Sequence, residues 1–147
     1  MKKDEQYRLL ERQMTALLEG ETDVIAKMAN FAAVLHDTFG FWWTGFYRVA
    51  GDGLILGPFQ GPVACMHIPY GRGVCGTAWK RNESVVVPDV EQFPGHIACS
   101  SASRSEIVVP VHAPDGAVTA VLDIDSDRLA TFDDTDRVWL ERLVQLL

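Results

Sequence analysis

Cysteine is the side chain best suited to redox or nucleophilic work, and this chain has three: Cys65, Cys75 and Cys99. An odd number cannot all pair in an oxidising compartment, so the count points to a reducing one, where each thiol is reactive, metal-bound or buried filling. His67 stands two residues beyond Cys65, and His96 three before Cys99, which raises the question of a Cys/His metal site. Zinc sites usually show a C-x2-C pair; the sequence has none, so no metal is expected.

Carboxylates supply the complementary chemistry. In Val121-Leu122-Asp123-Ile124-Asp125, a period of two sends Leu122 and Ile124 to one face and the two acids to the other. Paired acids in a closed pocket repel one another, one pKa rises, and a carboxyl protonated at neutral pH becomes a proton donor. Glu106 follows Cys99 by only seven residues, so a carboxylate and a thiol can share a site. The same alternation puts Trp43, Gly45 and Tyr47 on one face of a strand and Trp42, Thr44 and Phe46 on the other; one face can be core while the other lines a pocket. Gly71-Arg72-Gly73, ahead of Cys75, has the form of an anion-binding turn, a weak motif. Taken singly, each feature also has a bland explanation, as core cysteine, sheet packing or solvated acid.

The elements that must position these residues follow from periodicity. Leu9, Leu10, Met14, Leu17 and Leu18 recur at helical spacing from Tyr7 to Leu18. A second helix starts at Thr22-Asp23 and carries Val24, Ile25, Met28, Phe31, Ala32 and Leu35 up to Gly40. Strand patterns cover Phe41 to Val49, Leu54 to Leu56, Met66 to Ile68, Val85 to Val87, Glu106 to Val111 and Val118 to Asp125, with hairpin turns at Gly51-Asp52-Gly53 and Pro114-Asp115-Gly116. A short helix is expected near Val74 to Lys80 and a closing one from Asp133 to Leu147. The expectation is an α+β fold in a single domain over 1–147: helices over 1–40, sheet and active-site loops over 41–132, and a C-terminal helix over 133–147. Between Gly57 and Arg104 lie all three cysteines, many Gly and Pro residues and little regular structure. Long irregular stretches in compact domains are usually functional, so the site is expected there.

Composition narrows the partners. With 48% hydrophobic and 22% charged residues, 147 residues can bury a real core without disulfides or metal. The net charge of -7 repels phosphate backbones and anionic lipid, so neither nucleic acid nor membrane is an expected partner. Met1-Lys2-Lys3-Asp4-Glu5 leads into an amphipathic pattern with no apolar signal core, and the expected location is the cytoplasm.

Several motifs together carry a resemblance. Gly57-Pro58-Phe59-Gln60-Gly61, Ile68-Pro69-Tyr70-Gly71-Arg72-Gly73-Val74-Cys75-Gly76-Thr77-Ala78, Val87-Pro88-Asp89-Val90, Phe93-Pro94-Gly95-His96-Ile97-Ala98-Cys99 and Ser105-Glu106-Ile107-Val108-Val109-Pro110 resemble the free methionine-R-sulfoxide reductases, single GAF-domain enzymes. The likeness runs from about Trp43 to Asp133, and ordinary GAF domains lack this trio of cysteines. One departure is Ser100, which stands where the family commonly has an acidic residue.

The resemblance implies that Cys99 attacks, that Cys65 is the main resolving cysteine, and that Cys75 is a second resolving or auxiliary one. It further implies that Trp43 and Tyr47 wall the substrate's methyl and sulfur, with Ile97 beside them. Glu106, Asp123 and Asp125 would bind the amino group and the sulfoxide oxygen and supply the catalytic proton. The implied reaction is thiol-dependent reduction of free methionine-R-sulfoxide through a Cys99 sulfenic acid and an intramolecular disulfide. No bound cofactor is needed, a dithiol such as thioredoxin is the reductant, and the assembly is a homodimer, for which the amphipathic N-terminal helices could supply the contact unless their apolar stripes are buried within one subunit. The competing expectations are a non-catalytic GAF module that senses a small ligand, a structural zinc domain, and repair of oxidised methionine within proteins.

Overall fold

The computed structural model describes residues 1–97, 99 and 102–147; Ser100 and its expected departure from the family pattern lie outside the described residues. The first helix, α1 (Lys3–Leu18), buries Tyr7, Leu10, Met14 and Leu18 on one stripe. It begins four residues before the apolar pattern does, because its first turn is acidic, with Asp4 and Glu5 at the end of the helix where negative charge is favoured. α2 (Val24–Phe39) has sharper ends. The Asp23 carboxylate accepts from the backbone N–H groups of Ile25 and Ala26 at 2.9 and 3.0 Å, and Gly40, at φ +67°, donates to the His36 carbonyl.

Six strands follow: β1 (Trp43–Ala50), β2 (Gly53–Gln60), β3 (His67–Pro69), β4 (Val85–Val87), β5 (Ser105–His112) and β6 (Val118–Ser126). They form one sheet in the order β3-β2-β1-β6-β5-β4, with every described pairing antiparallel. The short helix α3 (Gly73–Arg81) lies between β3 and β4, and α4 (Asp134–Leu143) closes the chain with a 3-10 turn over Val144–Leu146. The α+β expectation holds.

Two boundaries differ from expectation for identifiable reasons. β1 starts at Trp43, because Phe41 packs between Phe39 and Phe132 in the helical layer. β2 runs on through Gly57 and Pro58 to Gln60, residues that discourage a strand; β3 pairs only with Gly53 to Ile55, so Pro58 sits where β2 is an edge and its missing N–H leaves no ladder bond unmade.

The alternation of β1, β5 and β6 divides the interior in two. Phe46, Ile107, Leu122 and Ile124 face α1, α2 and α4 and form the main core with Phe31, Leu35 and Leu140. Trp43, Tyr47, Val108 and Val121 face the other way, beneath α3 and the long loops, in a second cluster with Val74 and Cys75. The apolar stripe of α1 is thus largely spent within the chain; Leu9 and Leu17 remain exposed on it, and Val24 and Ile25 on α2. The first and last helices are locked together by Asp136, which accepts from the buried Tyr7 hydroxyl at 2.6 Å and pairs with Lys3 at 2.7 Å. A buried donor left without its partner costs about 1–3 kcal/mol, which sets the scale of this link. No helix among the described residues is long and apolar enough to cross a membrane.

Candidate active site

Strand register brings the three acids together. Glu106 of β5 stands directly opposite Asp125 of β6, and Asp123, two residues earlier on the same face, stands opposite Gly45 of β1. That face looks away from the helical core, into an open cleft. A Cβ on Gly45 would lie 2.3 Å from the Phe59 Cβ and 2.7 Å from the Trp43 ring. Glycine there lets the Trp43 indole lie across the strand, stacked on Phe59 at 5.2 Å and on Tyr47 at 5.9 Å between ring centroids.

The two aromatics also hold the loop that carries the first cysteine. Trp43 Nε1 donates to the Pro62 carbonyl at 3.0 Å, and the Tyr47 hydroxyl donates to the carbonyl of Cys65 at 2.8 Å. Cys65 is joined by a disulfide to Cys99, with their Cα atoms 5.4 Å apart and a sequence separation of 34. The bond ties the β2–β3 loop to the segment ahead of β5. Cys75 is a free thiol in the first turn of α3, buried against the acids. Gly73, at φ +64°, starts α3 so closely beneath Ile97 that a Cβ would meet the Ile97 side chain at 3.2 Å.

Among the residues named from the sequence, Trp43, Tyr47, Cys75, Ile97, Cys99, Glu106, Asp123 and Asp125 all line this one cleft, with Cys65 bonded to Cys99. Arg72 and Gly73 of the glycine-flanked turn line it too. Sequence reasoning missed two contributors. Ser103 donates to Asp125 Oδ1 at 3.1 Å, and nothing in its neighbourhood signals that. His96, weighed only as a metal ligand, instead faces Glu106, Nε2 to Oε1 at 3.7 Å. His67 lies exposed on β3.

Burial dominates the electrostatics. It pushes Glu106 up to about 8, with repulsion from Asp125 adding to it. Burial followed by the charge of Glu106 raises Asp123 well above the carboxylate range. Asp125 is raised by burial and then by Asp123, against the pull of the Ser103 hydroxyl. Burial also lifts the Cys75 thiol, reinforced by Asp123, and lowers His96 towards its neutral form. Protons are therefore retained among the acids at neutral pH. Asp123 Oδ1 is shut from solvent with no hydrogen-bond partner among the described residues, and Cys75 Sγ with carboxylate oxygens of Glu106 and Asp123 forms a donor set that could hold a cation. The arrangement combines a cysteine pair able to cycle between dithiol and disulfide, carboxyls that keep protons, and an aromatic wall suited to an apolar or sulfur-bearing group.

Comparison with known proteins places this geometry. A GAF domain family model matches residues 19–147. GAF domain-containing protein A of Dictyostelium discoideum is 52% identical over 146 residues, covering 99% of this chain and 92% of its own length. Free methionine-R-sulfoxide reductase of Escherichia coli is 47% identical over 148 residues, covering 100% of this chain and 89% of its own. The crystal structure of free methionine-R-sulfoxide reductase from Neisseria meningitidis, in complex with its substrate, superposes with a TM-score of 0.97 at 51% identity, covering 99% of this chain and 88% of that one.

Proposed function

The chain belongs to the GAF domain family, and from that premise we propose that it reduces free methionine-R-sulfoxide to methionine, using its own cysteines as the electron source. The observation that carries the proposal is the Cys65–Cys99 disulfide, whose Cys99 lines the same cleft as three buried carboxyls and the Trp43–Tyr47 wall. The E. coli and N. meningitidis relatives bear the name of this activity, the latter with its substrate bound.

A sulfoxide sulfur yields to a nucleophile only as its oxygen takes up a proton. The Cys99 thiolate attacks sulfur, one carboxyl among Glu106, Asp123 and Asp125 protonates oxygen, and the step ends with methionine released and that oxygen on Cys99 as a sulfenic acid. Substrate sulfur gains two electrons and Cys99 loses two. The Cys65 thiol then condenses with the sulfenic acid, expelling water and forming the disulfide. An external dithiol, for which thioredoxin is the proposed agent, restores both thiols by exchange. Cys75, buried and with its thiol pKa raised, takes an auxiliary part.

Recognition follows from the same residues. Trp43 and Tyr47 pack the methyl and sulfur, worth about 0.3–1.5 kcal/mol and too little for strong discrimination. Ile97 closes beside them. An ammonium entering among the acids favours ionisation of the carboxyl it touches, while a neighbour keeps its proton for the sulfoxide oxygen. Free amino acid is thereby separated from methionine within a peptide, and the R epimer from the S epimer by where the oxygen falls. The cytoplasm is the proposed location and a homodimer the proposed assembly.

Thioredoxin, its reductase and NADPH should sustain turnover of free methionine-R-sulfoxide, consuming one NADPH per methionine formed. N-acetylation of the substrate, which removes the ammonium, should lower kcat/KM by about 10⁴-fold, as for a site whose buried polar groups lose their partner. Equal turnover of the free and acetylated compounds would overturn the recognition scheme.

A further inference from the structure

Three donor atoms from three separate elements converge at the cleft. Cys75 in the first turn of α3, Glu106 near the start of β5 and Asp123 in β6 offer a sulfur and two carboxylate oxygens that all lie within 4.8 Å of one another. All three side chains are buried, and Asp123 Oδ1 has no hydrogen-bond partner among the described residues. A buried carboxylate oxygen in that position is costly unless a cation or a donor meets it. His96 stands beside the set, with Nε2 3.7 Å from Glu106 Oε1.

We propose that these residues form a binding site for one divalent cation of the zinc class, held by Cys75 Sγ and one oxygen each from Glu106 and Asp123. Mixed sulfur and oxygen donors suit Zn²⁺, whereas Mg²⁺ and Ca²⁺ take oxygen alone. Donors about 2.0–2.3 Å from one ion stand roughly 3.3–3.8 Å apart in a tetrahedron, so small side-chain rotations bring three donors that already lie within 4.8 Å of one another to that spacing. Sequence spacing hides the set, because its members come from a helix and two strands rather than from closely spaced Cys and His pairs. An ion held there occupies the ground assigned above to the substrate's ammonium, and on that reading Zn²⁺ is a reversible inhibitor competing with substrate. The binding claim itself is independent of turnover.

The test uses Co²⁺ as the probe and the disulfide form of the full chain, in which Cys75 is the remaining thiol of the three cysteines. The expected result is one Co²⁺ per chain, with tetrahedral visible bands and a near-ultraviolet thiolate-to-cobalt charge-transfer band, both abolished by Zn²⁺. Cys75→Ser removes the charge-transfer band, and Asp123→Asn weakens Co²⁺ binding at least tenfold. Absence of that band in the parent chain, its survival in a folded Cys75→Ser variant, or unchanged affinity in Asp123→Asn overturns the proposal. None of these readouts uses reductase activity, so an inactive protein with an intact cobalt spectrum counts against the function and leaves the metal site standing.

Discussion

Cys99→Ser is expected to abolish reduction of free methionine-R-sulfoxide, lowering kcat/KM by about 10⁴-fold or more, the scale on which removal of an attacking residue acts. The reason goes beyond nucleophilicity: a serine hydroxyl cannot take the sulfoxide oxygen and give up two electrons, so the reaction has no electron source. Cys65→Ser makes the informative comparison. It keeps the attacking thiol, so one methionine per chain still forms, but the sulfenic acid on Cys99 then persists and is trapped by a dimedone-type reagent with the expected mass increase. Because Cys99 is held in the structure by its bond to Cys65 rather than by the core, both variants are expected to fold. Retention of a tenth or more of the parent activity by Cys99→Ser would remove Cys99 from the role of nucleophile.

The second large effect is expected at Glu106. Glu106→Gln keeps the shape of the side chain and removes its transferable proton, and general-acid catalysis is typically worth 10²- to 10⁴-fold; a loss of about 10²-fold or more in kcat/KM is expected. The sign of the pH dependence follows from the cause of the shift. Burial and Asp125 raise the Glu106 carboxyl to about 8, so the acid is available below that value and is lost as pH rises through it. The profile of kcat/KM, which reports the free enzyme, should therefore fall on its alkaline side near pH 8, and Glu106→Gln should lack that limb. A fall near pH 8 that persists unchanged in Glu106→Gln would assign the proton to a different group.

Much of this site was legible in the sequence because its logic is local. A period of two is enough to put Asp123 and Asp125 on the face opposite Leu122 and Ile124, and Trp43 and Tyr47 on the face opposite Phe46. Asp23, Gly40 and Asp133 mark helix ends through bonds to neighbours within a few residues, and those ends fall where their chemistry requires. What stayed hidden depends on partners distant in sequence. The pairing of β1 with β6, which sets Asp123 opposite Gly45, joins segments far apart in sequence, Trp43–Ala50 and Val118–Ser126. The hydrogen bond from Ser103 to Asp125 and the approach of His96 to Glu106 exist only once that sheet has formed. Pro58 misled the reading of β2 because edge status is a property of the assembled sheet. Likewise the burial of Cys75 beside the acids by α3, and the bond between Cys65 and Cys99, depend on the assembled fold.

The most direct measurement is to mix the fully reduced protein with one equivalent of free methionine-R-sulfoxide or of the S epimer, without other reductant, and quantify both methionine and disulfide. The expected result is one methionine per chain from the R epimer alone, with Cys65 and Cys99 linked in the peptide map and Cys75 still a thiol. Unreacted R epimer beside folded, reduced protein would contradict the reductase reading and leave a ligand-sensing GAF domain as the account to pursue.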